Sequence, residues 1–174
     1  MYLDRRKVFE LGEVKNKNVL DIGVGKLAII AAKDFDCRVT SIDISRSAIE
    51  EEKIRVKKEN LDHVIKLEKE DATELSYSDD KFDIVISYGA LHHNPPEKRE
   101  RFVQEACRVA KEKVLITEFK EEHHIHPKDV HPPVDHDWLE STLKKFGRLK
   151  IYEGEEKILY ICFLLNKLLQ GPYP

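Results

Sequence analysis

The stretch from Val19 to Ile44 constrains this chain more than any other. Val19-Leu20-Asp21-Ile22-Gly23-Val24-Gly25 is a short apolar run that ends in a carboxylate and two glycines. An apolar, helix-like run follows, and then Val39-Thr40-Ser41-Ile42-Asp43-Ile44 ends in a second carboxylate, twenty residues beyond Gly23. The pattern predicts a buried parallel strand that turns sharply into a helix, with a second strand beside it. Such a turn suits a nucleoside-containing cofactor: glycines let the backbone approach it, and the distal acid accepts hydrogen bonds from ribose hydroxyls.

The rest of the chain alternates strand and helix, which predicts a mostly parallel sheet covered on both faces. Strands are expected at 19–22, 38–44, 64–68, 82–87 and 113–119. Helices are expected at 27–33, at 45–60 with Ser45 as N-cap, and at 97–111. Residues 120–137 break the rhythm with three prolines and five histidines, and read as a long loop or lid. A helix at 138–146 should end at Gly147. The last two strands, 149–153 and 158–165, are separated by four residues, too few for a parallel crossover, so they should form an antiparallel hairpin. The expectation is one α/β domain over 1–174, with a short N-terminal extension (1–13), the His/Pro-rich loop (120–137) and a seven-stranded sheet.

Composition narrows the function classes. With 30 Lys and Arg against 33 Asp and Glu, the net charge is -3, so no global field draws the chain to nucleic acid or anionic membrane. Its basic groups, such as Arg5-Arg6-Lys7 and Lys144-Lys145, are scattered among acids and form no phosphate-binding patch. The longest apolar run, 158–165, is too short to cross a bilayer. The cysteines (Cys37, Cys107, Cys162) have no metal-like or redox-like spacing and read as buried thiols. A soluble cytoplasmic protein is expected. Abundant Glu and Lys with two Gln and one Met is a bias of heat-adapted proteins.

Gly23-Val24-Gly25-Lys26-Leu27-Ala28 also fits the dinucleotide fingerprint G-x-G-x-x-A, so a nicotinamide-dependent oxidoreductase is a competing reading. Asp21, two residues before the first glycine, would repel a pyrophosphate but suit a cationic ammonium. Asp71-Ala72, after the third strand, is placed to accept from an exocyclic amine. The closing hairpin is foreign to a simple doubly wound dehydrogenase.

Taken in order, Val19–Gly25, Asp43, Glu70-Asp71-Ala72 and Phe82-Asp83-Ile84-Val85-Ile86-Ser87 resemble the successive motifs of the class I S-adenosylmethionine-dependent methyltransferases. Tyr88-Gly89-Ala90-Leu91-His92-His93 and the helix segment Arg101–Val109 are similar to its small-molecule, quinone-biosynthesis-like branch. The resemblance implies a Rossmann-like fold and S-adenosyl-L-methionine as cofactor. It further implies that Asp21 lies near the methionine ammonium, with the Gly23 and Gly25 backbone against the cofactor. Asp43 would bind the ribose, Ile44 the adenine face, and Asp71 the adenine amine, with Ala72 beside it. Ser87 and Tyr88 would face the methionine portion. The chain departs from the family where Leu27 replaces the usual third glycine. It also has little sequence before the first strand, which implies a site that is open or completed by a homodimer or other partner subunit.

Methyl transfer needs a base only when the nucleophile must lose a proton, and His92, His93 and Tyr88 lie where one could reach the acceptor. Against this, one histidine could simply pack on the pocket while the other is solvated. Glu118 reads as a solvated strand end rather than a site acid. His123, His124, His126, His131 and His136 match no established zinc spacing, so a substrate lid is expected and no metal. In Asn94-Pro95-Pro96-Glu97 the prolines should open a helix. The leading expectation is therefore a methyltransferase acting on a small molecule, without nucleic-acid or membrane partners. The alternatives are an oxidoreductase and a degenerate fold kept as a binding subunit.

Overall fold

The computed structural model describes residues 1–124, 126–127 and 130–165, so positions 125, 128 and 129 of the expected loop lie outside the described residues. Seven strands form one sheet: β1 (Asn18–Ile22), β2 (Arg38–Asp43), β3 (Ile65–Lys69), β4 (Phe82–Tyr88), β5 (Ala110–Phe119), β6 (Gly147–Glu153) and β7 (Lys157–Leu164). Their spatial order is β3-β2-β1-β4-β5-β7-β6, with β7 antiparallel to both β5 and β6 and the rest parallel. The chain therefore reverses direction across the sheet between β1 and β4, the position at which open α/β sheets leave a crevice outside their carboxyl ends.

Both faces of the sheet are buried. Leu20, Ile22 and Val85 pack on one side with Phe102 of α4 (Pro96–Val109) and Leu139 of α5 (His136–Lys144). Val19, Ile84 and Ile86 pack on the other with Val8 and Phe9 of α1 (Arg5–Gly12) and Leu27, Ala28 and Ala31 of α2 (Lys26–Phe35). Removing each such large apolar side chain from water contributes about 1.5–3 kcal/mol. Local capping agrees with the sequence. The Ser45 side chain accepts from the Ala48 N–H at the start of α3 (Arg46–Lys58), and Pro95-Pro96 open α4.

The short N-terminal extension carries α1, whose N-cap Asp4 accepts from Lys7 N at 2.8 Å, and the helix packs on α2. One expectation is corrected: Gly147 does not end a helix. α5 stops at Lys144, and Gly147 begins β6, where an added Cβ would lie 2.0 Å from the Phe163 carbonyl oxygen. Close strand approach selects glycine there.

Candidate active site

A cavity of about 400 Å3 opens at the carboxyl ends of β1 to β4, a size suited to a nucleoside-sized ligand. Among the expected site residues, Gly23, Asp43, Ile44, Asp71, Ala72, Tyr88 and His93 line it, joined by Glu70 and Asn94. Three carboxylates (Asp43, Glu70, Asp71) face this cavity, and among the described residues no lysine or arginine lines it. A larger cavity of about 810 Å3 lies at the opposite ends of the strands, around Asn18, Arg38 and Ile65, the first residues of β1, β2 and β3. It contains none of the expected site residues.

The glycine loop is built for close approach. Gly23 adopts φ +96°, its N–H donates to the Ile42 carbonyl at 2.8 Å, and a Cβ there would sit 3.2 Å from Ala90 Cβ. That conformation belongs to glycine. Gly25, the N-cap of α2, has extended backbone, and a Cβ added there would meet nothing within 4 Å. No packing within the protein demands glycine at that position. The open space it leaves is a cradle that a ligand on the loop can fill. Leu27 replaces the family's third glycine harmlessly: it is buried in the core with Val19 and Ala28 and does not line the cavity.

The two ligand-facing acids are held from behind. Asp43 accepts from Val24 N at 3.3 Å and Ser45 N at 2.8 Å. Asp71 accepts from Thr73 N at 2.9 Å and Thr73 Oγ1 at 2.7 Å through one oxygen, Oδ1. Those bonds hold its carboxyl below the usual carboxylate range. Ile44 is 65% exposed, a large apolar side chain open on the cavity wall.

Other expected residues sit elsewhere. Asp21 does not line the cavity; it is sealed under the strand ends and accepts from Ser41 Oγ at 2.7 Å. It follows Leu20 and precedes Ile22, so strand alternation turns it toward the face opposite theirs. Burial pushes its carboxyl up to about 7, against the lowering effect of the Ser41 hydrogen bond. Ser87 is also buried, and its Oγ has no hydrogen-bond partner. Tyr88 lines the cavity, but its hydroxyl donates to the Leu3 carbonyl at 2.8 Å and burial pushes its pKa up to about 12. The ring forms a wall; the hydroxyl is occupied.

The histidines also depart from expectation. Glu118, read from the sequence as solvated, is buried in a two-part clamp. It accepts from Leu91 N at 2.8 Å and from His92 Nδ1 at 2.8 Å. His92 is buried with it, and among the described residues its Nε2 has no partner. His93 is exposed at the cavity edge, yet partial desolvation together with the neighbouring His92, His131 and His126 pushes its pKa down to about 4. That makes it a neutral and feeble proton acceptor at pH 7, ill suited to general-base work. Sequence reasoning missed Arg99. It is buried and donates to the carbonyls of His92, Asn94, Pro132 and Pro133, which ties the start of α4 to the His/Pro-rich loop. Its position in a charged helix segment gave no signal of this role.

A family model described as a methyltransferase domain matches residues 19–113, more than half of the chain. The 27-O-demethylrifamycin SV methyltransferase of Amycolatopsis mediterranei is 39% identical over 93 residues, which cover 52% of this chain and 34% of that protein. Across the first curated relatives matched, the alignments span 43%, 34% and 34% of the relatives' own length, so the chain spans less than half of each. Among solved structures, an S-adenosylmethionine-dependent methyltransferase of Methanosarcina mazei superposes with a TM-score of 0.71 at 19% identity, covering 95% of this chain and 100% of that one. Phosphoethanolamine N-methyltransferase 2 of Haemonchus contortus, in complex with S-adenosyl-L-methionine, superposes with a TM-score of 0.72 at 18% identity, covering 87% and 49%. At such identities these structures establish a shared fold.

Proposed function

This chain belongs to the class I S-adenosylmethionine-dependent methyltransferase family, and from that premise we propose that it transfers a methyl group from S-adenosyl-L-methionine to a small-molecule acceptor. The observation that carries this reading is the charge of the cavity: among the described residues three carboxylates line it, and no lysine or arginine does. A dinucleotide would bring a pyrophosphate into that negative field, which argues against the oxidoreductase reading. A sulfonium nucleoside without phosphate is cationic where the cavity is anionic.

The bound cofactor supplies an activated methyl group on a cationic sulfur. The protein's share is alignment and exclusion of water. Asp43 at the end of β2 is placed to accept from ribose hydroxyls, and Asp71 beyond β3 to accept from an adenine amine. Ile44, open between them, can cover the base. The Gly25 cradle and the Tyr88 wall would hold the methionine portion, with the unpartnered Ser87 hydroxyl and Asp21 close behind the strand ends. Asn94 and His93 are left on the acceptor side. A soluble protein of the cytoplasm is proposed, supported by three cysteines that are all buried. Among the described residues no helix is long and apolar enough to cross a membrane.

Comparing ligands by thermal shift tests the reading, because a ligand that binds only the native state must raise its melting temperature. S-adenosyl-L-methionine and its demethylated product should each raise it, and NAD and NADP should not. A shift with the dinucleotides alone would reverse the assignment.

A further inference from the structure

We propose that His92, His93 and His126 form a binding site for one divalent transition-metal ion at the acceptor side of the cavity. One ring nitrogen of each lies within 4.8 Å of the others, and the ring centroids stand 4.2 Å (His92–His93), 5.1 Å (His92–His126) and 4.9 Å (His93–His126) apart. Sequence spacing hides this set. His92 and His93 leave the end of β4 in a short 3-10 turn, and His126 returns to them from the far side of β5.

The second observation is His92 itself. Its Nδ1 proton is directed at the buried Glu118 carboxylate, and its buried Nε2 has no hydrogen-bond partner among the described residues. A buried polar nitrogen left unpaired is unfavourable, so this atom calls for a partner. A carboxylate that orients a histidine so that the other ring nitrogen is offered outward is how metal-ligating histidines are held. Around the set, His124 Nε2 donates to the His131 carbonyl at 2.6 Å, tying the two arms of the loop together. Arg99 anchors the loop at Pro132 and Pro133, and its guanidinium is spent on carbonyls.

Three imidazoles without a nearby thiolate suit Zn2+, Co2+, Ni2+ or Cu2+ rather than Mg2+ or Ca2+. Metal–nitrogen bonds of about 2.0–2.1 Å in tetrahedral geometry place the nitrogens about 3.4 Å apart, so nitrogens that now lie within 4.8 Å of one another close by at most about 1.4 Å on binding. Three protein ligands leave a fourth position open. Because His93 lines the cavity, that position faces the acceptor. There the metal would bind the acceptor's nucleophilic atom and acidify it; the proton leaves to solvent, and the nucleophile–methyl bond forms as the sulfur–methyl bond breaks. This consequence rests on the methyltransferase reading. Metal binding does not.

The test is titration of the chelator-treated protein with Co2+, followed by its visible absorption, and with Zn2+ by calorimetry. One equivalent should bind, and His126→Ala should weaken binding about 100-fold or more. Glu118→Gln, which keeps the shape but loses the charge, should weaken it about 10- to 100-fold. His123→Ala, an exposed histidine outside the set, should leave affinity unchanged. Absence of saturable Co2+ and Zn2+ uptake, or uptake that His126→Ala leaves intact, would overturn the site. Binding of S-adenosylhomocysteine, measured separately, should survive His126→Ala. A protein that takes metal but not S-adenosylhomocysteine keeps the metal site and loses the methyltransferase reading.

Discussion

At Asp21, burial strips a carboxyl of water, and only the Ser41 hydroxyl at 2.7 Å partly replaces it. Its pKa of about 7 in the fold lies above the ordinary 3.8, with the buried Glu52 adding repulsion and Arg5 opposing it. The native state therefore holds a proton that the unfolded chain has already lost between about pH 4 and pH 7. Its stabilising contribution is complete below pH 4 and declines as pH rises through about 7. Asp21→Asn keeps an acceptor for Ser41 and removes the titration. Relative to wild type, the variant should gain about 1–3 kcal/mol between pH 5 and pH 8, as measured by urea unfolding at both values. An unchanged difference would mean that Asp21 is solvated. The family motif implies that this acid lies near the methionine ammonium, whereas in the fold it is a buried residue of β1 whose direction depends on strand alternation and on Ser41, twenty residues away. Asp43 and Asp71 were legible because they stand just past the last residue of a strand or at its end, where alternation no longer hides them. Glu118 was illegible for the opposite reason: its partner His92 is 26 residues distant, and nothing local distinguishes a clamped acid from a solvated one.

The loop from 120 to 135 depends at the element scale on Arg99 of α4. Four carbonyls converge on this guanidinium, two from the loop and two from the turn after β4. Arg99→Met should leave those buried acceptors unpaired and cost about 2–4 kcal/mol in chemical denaturation. It should also speed proteolytic cleavage within 120–135, since the loop would lose its main anchor. Equal cleavage rates in the two proteins would show that the loop is held by other contacts. The strands and helices that carry the site were readable from periodicity, because each buries a continuous apolar face. The loop was readable only as a break in the pattern. Its histidines converge because Arg99 and the His124–His131 bond fold it back over β4, and long-range polar contacts of this kind leave no periodic trace.

For the whole molecule, the order β3-β2-β1-β4-β5-β7-β6 brings the carboxyl ends of four parallel strands to one crevice, so that acids distant in sequence share one cavity. The alternation of strand and helix, with four residues between the last two strands, was enough to anticipate a mostly parallel sheet and a closing antiparallel hairpin, but not this strand order. It could not reveal that, among the described residues, no lysine or arginine lines the cavity, since a lining is set by packing across several elements. This lining is the physical basis for the choice of a phosphate-free nucleoside. Isothermal titration of S-adenosylhomocysteine into wild type and Asp43→Ala tests it most directly. One site per chain should saturate in the wild type, and the variant should bind about 10- to 100-fold more weakly, the loss of charge-assisted hydrogen bonds to ribose. Wild-type protein that takes up no S-adenosylhomocysteine, or an Asp43→Ala variant that binds it equally well, would contradict the account.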